Sequence, residues 1–129
     1  MTKLRLFHTL LIFFIASSVN AQYTRDAAID FVKNQVLIND ISHVKIYVSK
    51  DAKSGSIGLP LLHDEPIHFP YSSNWVFFVD DHPFAGWNHP CRYIFIDAIT
   101  GNDTIIANHQ IYPARLGYDF EDISDTPPF

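Results

Sequence analysis

Two short runs, Trp75–Val79 and Tyr93–Ile96, are apolar at every position. A strand with one wet face alternates apolar and polar residues; strands that do not alternate are central and covered on both sides. Trp75, Phe77 and Val79 therefore face one layer, and Val76 and Phe78 another. Tyr93 and Phe95 oppose Ile94 and Ile96 in the same way. The rest of the chain must supply two covering layers, and an eleven-residue connection, positions 80 to 90, joins the two runs.

One layer is legible upstream. Thr24 is placed to cap a helix running to about Asn39, with Asp26 in the first turn where the helix dipole favours a carboxylate. Ala28, Ile29, Val32 and Val36 form one stripe, with Arg25, Asp30, Lys33 and Asn34 off it. His43–Ser49 alternates, with Val44, Ile46 and Val48 on the side expected to meet the helix. The second layer must come from the long connection Lys50–Asn74, the C-terminal segment or a partner. Gly55, Gly58, Pro60, Pro66 and Pro70 punctuate that connection, while Leu59, Leu61, Leu62, Ile67 and Phe69 imply that it packs on the body. A short strand is expected near Ile57–Leu62. Thr100-Gly101-Asn102-Asp103 reads as a turn and Thr104–Ala107 as the returning strand. From Tyr112 onward acidic and aromatic residues alternate towards two prolines, which reads as an extended tail.

The first 21 residues read as a secretory signal. Lys3 and Arg5 precede the largely apolar Leu6–Ala16, and Val19-Asn20-Ala21 offers small residues at a cleavage site. The apolar run is about half of the roughly 20 residues needed to cross a bilayer. Without Lys3 and Arg5 the nine basic residues become seven, against fourteen acidic ones, a formal charge of −7. That balance argues against nucleic acid and anionic membrane surfaces as partners. A secreted or periplasmic product is expected, with no membrane attachment after cleavage. Cys91 is the single cysteine, so no internal disulfide forms, and a buried thiol is the expectation.

Three kinds of chemistry compete for the remaining polar residues. His63, Asp64, Glu65, His68, His82, His89 and Cys91 are good ligand types, but none has a known zinc spacing, so no metal or cofactor is assigned. Cys91 with His89, His82 or His109 has the components of a thiolate–imidazole pair. A reactive thiol needs an electropositive, accessible setting, whereas Cys91 opens an apolar strand in an acidic chain, so no catalytic residue is assigned. The third is binding. The connection carries Phe84 and Trp87 among Asp80, Asp81, His82 and His89, and is longer than a tight hairpin needs. Aromatic side chains on loops anchor interfaces; the alternative is that both rings fold back as a lid over the sheet.

Two resemblances rest on these residues. The helix, the following strand and the pair ending Tyr93-Ile94-Phe95-Ile96-Asp97-Ala98, then Thr100-Gly101, resemble the small PepSY-type module of peptidase propeptides and exported proteins. The Lys50–Asn74 insertion departs from a minimal module of that type. Trp75, Phe77, Phe78, Val79, Asp80, Pro83, Ala85, Trp87, His89, Pro90, Cys91, Tyr93, Ile94 and Phe95 form a pattern similar to a second group. These are N-terminal regions of large secreted Bacteroidetes proteins, preceding caspase- or legumain-like peptidase domains. The resemblance implies the accessory part without the enzyme.

The expected fold is α+β, one N-terminal helix packed on an antiparallel sheet of about four strands. Residues 1–21 form the signal, 22–112 one domain and 113–129 an acidic, aromatic tail. The expected function is an exported, non-enzymatic binding module of propeptide or inhibitor type. It would act on a peptidase-type protein partner through Asp80, Asp81, His82, Phe84, Trp87 and His89. The alternatives are a small periplasmic metal- or ligand-binding protein, or an immunity protein against a toxin.

Overall fold

The two apolar runs become neighbouring central strands in the computed structural model, which describes residues 22–86 and 88–125. The expected signal, Trp87 and the last four residues lie outside the described residues. In chain order the elements are α1 (Arg25–Phe31), continued by a π-helical turn (Val32–Val36), then β1 (Lys45–Ser49), β2 (Leu59–Leu61) and β3 (Asp64–Ile67). They are followed by β4 (Asn74–Asp80), β5 (Cys91–Asp97), β6 (Asp103–His109), the single helical turn α2 (Leu116–Asp119) and β7 (Phe120–Asp122). The main sheet is antiparallel and runs β6-β5-β4-β1-β7, while β2 and β3 form a separate hairpin. The fold is α+β as expected, with five strands in the main sheet.

α1 starts where the cap predicts: the Thr24 side chain accepts from the Ala27 N–H at 3.1 Å. The buried positions of α1, the π turn and its C-cap are Ala28, Val32 and Leu37, spaced by four and then five residues. The π turn, closed by Leu37 N–H on Val32 O at 2.8 Å, accounts for the longer second step. Those residues pack on Ile46, Val48, Phe77, Val79, Ile94 and Ile96, the first face of the sheet.

The opposite face holds Val76, Phe78, Cys91, Tyr93 and Phe95, and both the long connection and the C-terminal segment cover it. Leu59, Leu61, Ile67, Phe69 and Tyr71 come from the connection; Ile111, Tyr112, Leu116 and Phe120 come from the end of the chain. Phe78 is fully buried, with its ring centroid 4.9 Å from Tyr112, 5.2 Å from Tyr93 and 6.0 Å from Tyr47. Burial of a side chain of this size stabilises a fold by about 1.5–3 kcal/mol.

The segment after Tyr112 is docked as far as it is described. Pro113 bridges Leu61, Ala114 N–H donates to Pro60 O at 3.0 Å, and β7 pairs with β1. Ion pairs from Arg25 to Glu121 and from Lys45 to Asp122 hold its acidic residues against basic ones on α1 and β1. The stretch that reads as an extended tail therefore contributes an edge strand, Phe120–Asp122. The β5–β6 turn forms as expected, with Gly101 at φ +80° and its α-carbon side filled by the Tyr23 ring.

Candidate functional site

The connection between β4 and β5 is clamped at its base from both faces of the sheet. Strand alternation sends Asp80 to the same side as Val76 and Phe78, and His89 to the same side as Cys91 and Tyr93. There Asp80 is 6% exposed and His89 8%. His89 Nε2 lies 2.7 Å from Asp80 Oδ1, and the Tyr112 hydroxyl donates to Asp80 Oδ2 at 2.7 Å. That hydroxyl also lies 3.0 Å from His89 Nε2. Where the phenol proton lies on Oδ2 and Asp80 is a carboxylate, the Nε2–H tautomer of His89 donates to Oδ1. The backbone N–H of His82 adds a third donor to Asp80 at 3.0 Å. Burial, and then the adjoining Asp80, push the Tyr112 phenol well above its usual range.

On the other face, Arg92 Nε donates to both carboxylate oxygens of Asp81, at 2.9 and 3.2 Å, and its guanidinium reaches Asp40 at 3.4 Å. Forked pairing of this kind fixes orientation as well as charge. Between the clamps, Ala85 N–H donates to His82 O at 3.0 Å, closing a turn with Pro83 second and Phe84 third. Proline's fixed φ suits that second position. Phe84 is 64% exposed at the turn's tip. It lines an open cleft of about 500 Å³ with His43, Asp81, His82, Pro83 and Ala85.

The six residues expected to bind thus divide. His82 and Phe84 are exposed, and Asp81 is half-buried in its pair with Arg92. Asp80 and His89 are buried and turned towards each other, so they position the loop and do not form its surface. The side chain of Trp87 lies outside the described residues. Tyr112, Arg92, Asp40 and His43 were not among the expected residues. The first two were legible in part. Asp80 falls on the side of β4 that needs polar partners from whatever covers it, and Arg92 is the one Lys or Arg between Asp80 and Asp97, in a hairpin that also carries Asp81.

Cys91 is fully buried, with its thiol directed at His109 O at 3.2 Å. Burial, and then the negative charges of Asp80 and Asp81, push its pKa up to about 12. His109 Nδ1 is taken by the Ile111 N–H at 3.2 Å. At neutral pH this is a packed thiol and not an activated nucleophile. Among the described residues no three His, Cys, Asp or Glu side chains converge to hold a metal ion. Among them also, no helix is long and apolar enough to cross a membrane. No family model matches the chain, and searches of curated proteins and of solved structures find no match.

Proposed function

We propose that this chain is an exported, non-enzymatic binding module of propeptide or inhibitor type, presenting the β4–β5 loop to a peptidase-type protein partner. The observation that carries the reading is the exposed Phe84 on a turn whose base is fixed by two independent side-chain clamps. A loop held in one conformation before binding loses less entropy on association, and exposed aromatics are the side chains that anchor interfaces. The mechanism is steric: Phe84 fills a groove on the partner while the sheet holds it in place. Trp87 remains the second anchor on sequence grounds. The loop's two acids add little free charge to that contact, because Asp80 is buried and Asp81 pairs with Arg92. The peptidase class of the partner rests on the resemblance of the strand–loop–strand pattern.

The test uses residues 22–129 against a panel of secreted caspase-like and legumain-like cysteine peptidases. Inhibition or direct binding is expected for at least one, and Phe84→Ala should weaken it by about 30-fold or more, the effect of losing about 2 kcal/mol. An effect on no member of the panel counts against the peptidase partner. Equal potency of Phe84→Ala counts against the loop.

A further inference from the structure

A second cleft, of about 440 Å³, is lined by Leu62, His63, Asn88, Gln110, Ile111 and Tyr112 and shares no lining residue with the first. Three separate segments meet there: the tip of the β2–β3 hairpin, the end of the β4–β5 loop, and the chain leaving β6. Its floor is rigid and internally satisfied. The Ile111 N–H goes to His109 Nδ1, Ile111 O accepts from the Tyr93 hydroxyl at 2.6 Å, and Tyr112 O accepts from Leu62 N–H at 3.0 Å. Tyr112 is further held by Asp80 and His89.

The rim is the opposite. The side chains of Asn88, Gln110 and His63 make no hydrogen bond among the described residues and stand exposed around this floor. Each primary amide carries both donors and an acceptor, a set that matches the N–H and C=O of a peptide group. Leu62, 44% exposed, and the half-buried Ile111 supply an apolar surface between them. A cleft with apolar walls and a few polar groups converging on it is the usual form of a ligand site.

Among the described residues the lining carries no lysine, arginine or carboxylate, so a charged ligand finds no permanent countercharge there. Among the described residues its rings are Tyr112 and the exposed His63 imidazole, and the Tyr112 ring packs on Phe78 at 4.9 Å and lies edge-on to His89 at 5.8 Å. It is therefore poorly placed to stack on a sugar. We propose that this cleft binds an extended, uncharged peptide segment, an aliphatic side chain resting on Leu62 and Ile111 and its main-chain amides meeting Asn88 and Gln110. The inference does not depend on Phe84 or on a peptidase partner, since it concerns a different cleft and is read without any partner present.

The experiment titrates ¹⁵N- and methyl-labelled protein with three probes: N-acetyl-Ala-Leu-Ala-amide, N-acetyl-Ala-Asp-Ala-amide and N-acetylglucosamine. The leucine peptide should shift the Asn88 and Gln110 side-chain amide signals and the Leu62 and Ile111 methyls. The aspartate peptide should bind more weakly, and the sugar should leave those signals unmoved. The double variant Asn88→Ala, Gln110→Ala changes only exposed side chains, so it should keep the wild-type melt while weakening the leucine peptide about tenfold, as loss of two neutral hydrogen bonds implies. The proposal is overturned if the leucine peptide shifts none of these signals up to its solubility limit. It is equally overturned if the sugar or the aspartate peptide binds as well, or if a folded double variant binds undiminished.

Discussion

Replacing Phe84 by alanine separates a presented anchor from a lid, and the melt alone is enough. Full burial of a phenylalanine side chain stabilises by about 1.5–3 kcal/mol. Phe84 is 64% exposed, so roughly a third of that burial is present, or about 0.5–1 kcal/mol. In a domain of this size about 1 kcal/mol moves the melting temperature by about 4–8 °C, which puts the expected drop at roughly 2–8 °C. Phe78→Ala is the contrast, because Phe78 is fully buried between the Tyr47, Tyr93 and Tyr112 rings. Emptying such a site costs about 3–5 kcal/mol, and the melt should fall by at least about 12 °C. Both variants are followed by circular dichroism or differential scanning fluorimetry against the wild type. If Phe84→Ala falls as far as Phe78→Ala, Phe84 is part of the core. The loop then has no presented aromatic at that position, and the binding reading loses the observation that carries it.

Cys91 should resist a thiol reagent at pH 8 in the native protein and react after denaturation, since burial and the nearby Asp80 and Asp81 hold its pKa at about 12; rapid native labelling would contradict its packing. Asp97 accepts from Ile99 N–H at 2.9 Å and from the Thr100 hydroxyl at 2.9 Å, and those hydrogen bonds hold its carboxyl below the ordinary value of 3.8. A depressed carboxyl contributes stability above its unfolded-state pKa and loses it as pH falls through the folded value, so the stability gap between wild type and Asp97→Asn should be open at pH 7 and close below about pH 4; a gap independent of pH would refute the assignment. Expressed in a secreting host, the protein should emerge beginning at Gln22, read by N-terminal sequencing, and a retained leader would count against export.

What could be read from the sequence followed how local the determining physics is. The doubly covered pair β4–β5 is visible because its residues fail to alternate, and the Thr24 cap because it needs only Ala27. The Thr100–Asp103 turn is equally local. β7 was not visible. Glu121 and Asp122 look like solvated acids until Arg25 and Lys45 are beside them, and those lie more than 75 positions away in the chain. The same applies to Asp80 and His89, which stand in a polar loop and read as surface. Their burial is set by Tyr112, which arrives over the sheet from after β6.

The Tyr112 contacts connect the two surfaces of the molecule. Its hydroxyl helps close the loop that presents Phe84, while its ring and carbonyl form part of the floor of the second cleft. Asp80 and Cys91 face each other across β4 and β5, so the clamp sits where the hairpin opens into its loop. A hairpin opening there without cross-links would leave the ten residues 81–90 with little beyond the His82–Ala85 turn to order them. Asp80–His89–Tyr112 on one face and Asp81–Arg92–Asp40 on the other remove most of that freedom, because each ties an end of the loop to a segment outside it. The sheet needs a second cover because its central strands are apolar on both faces. The segment that supplies part of that cover also supplies the hydroxyl that fixes the loop, so ordering of the loop is coupled to docking of the C-terminal segment.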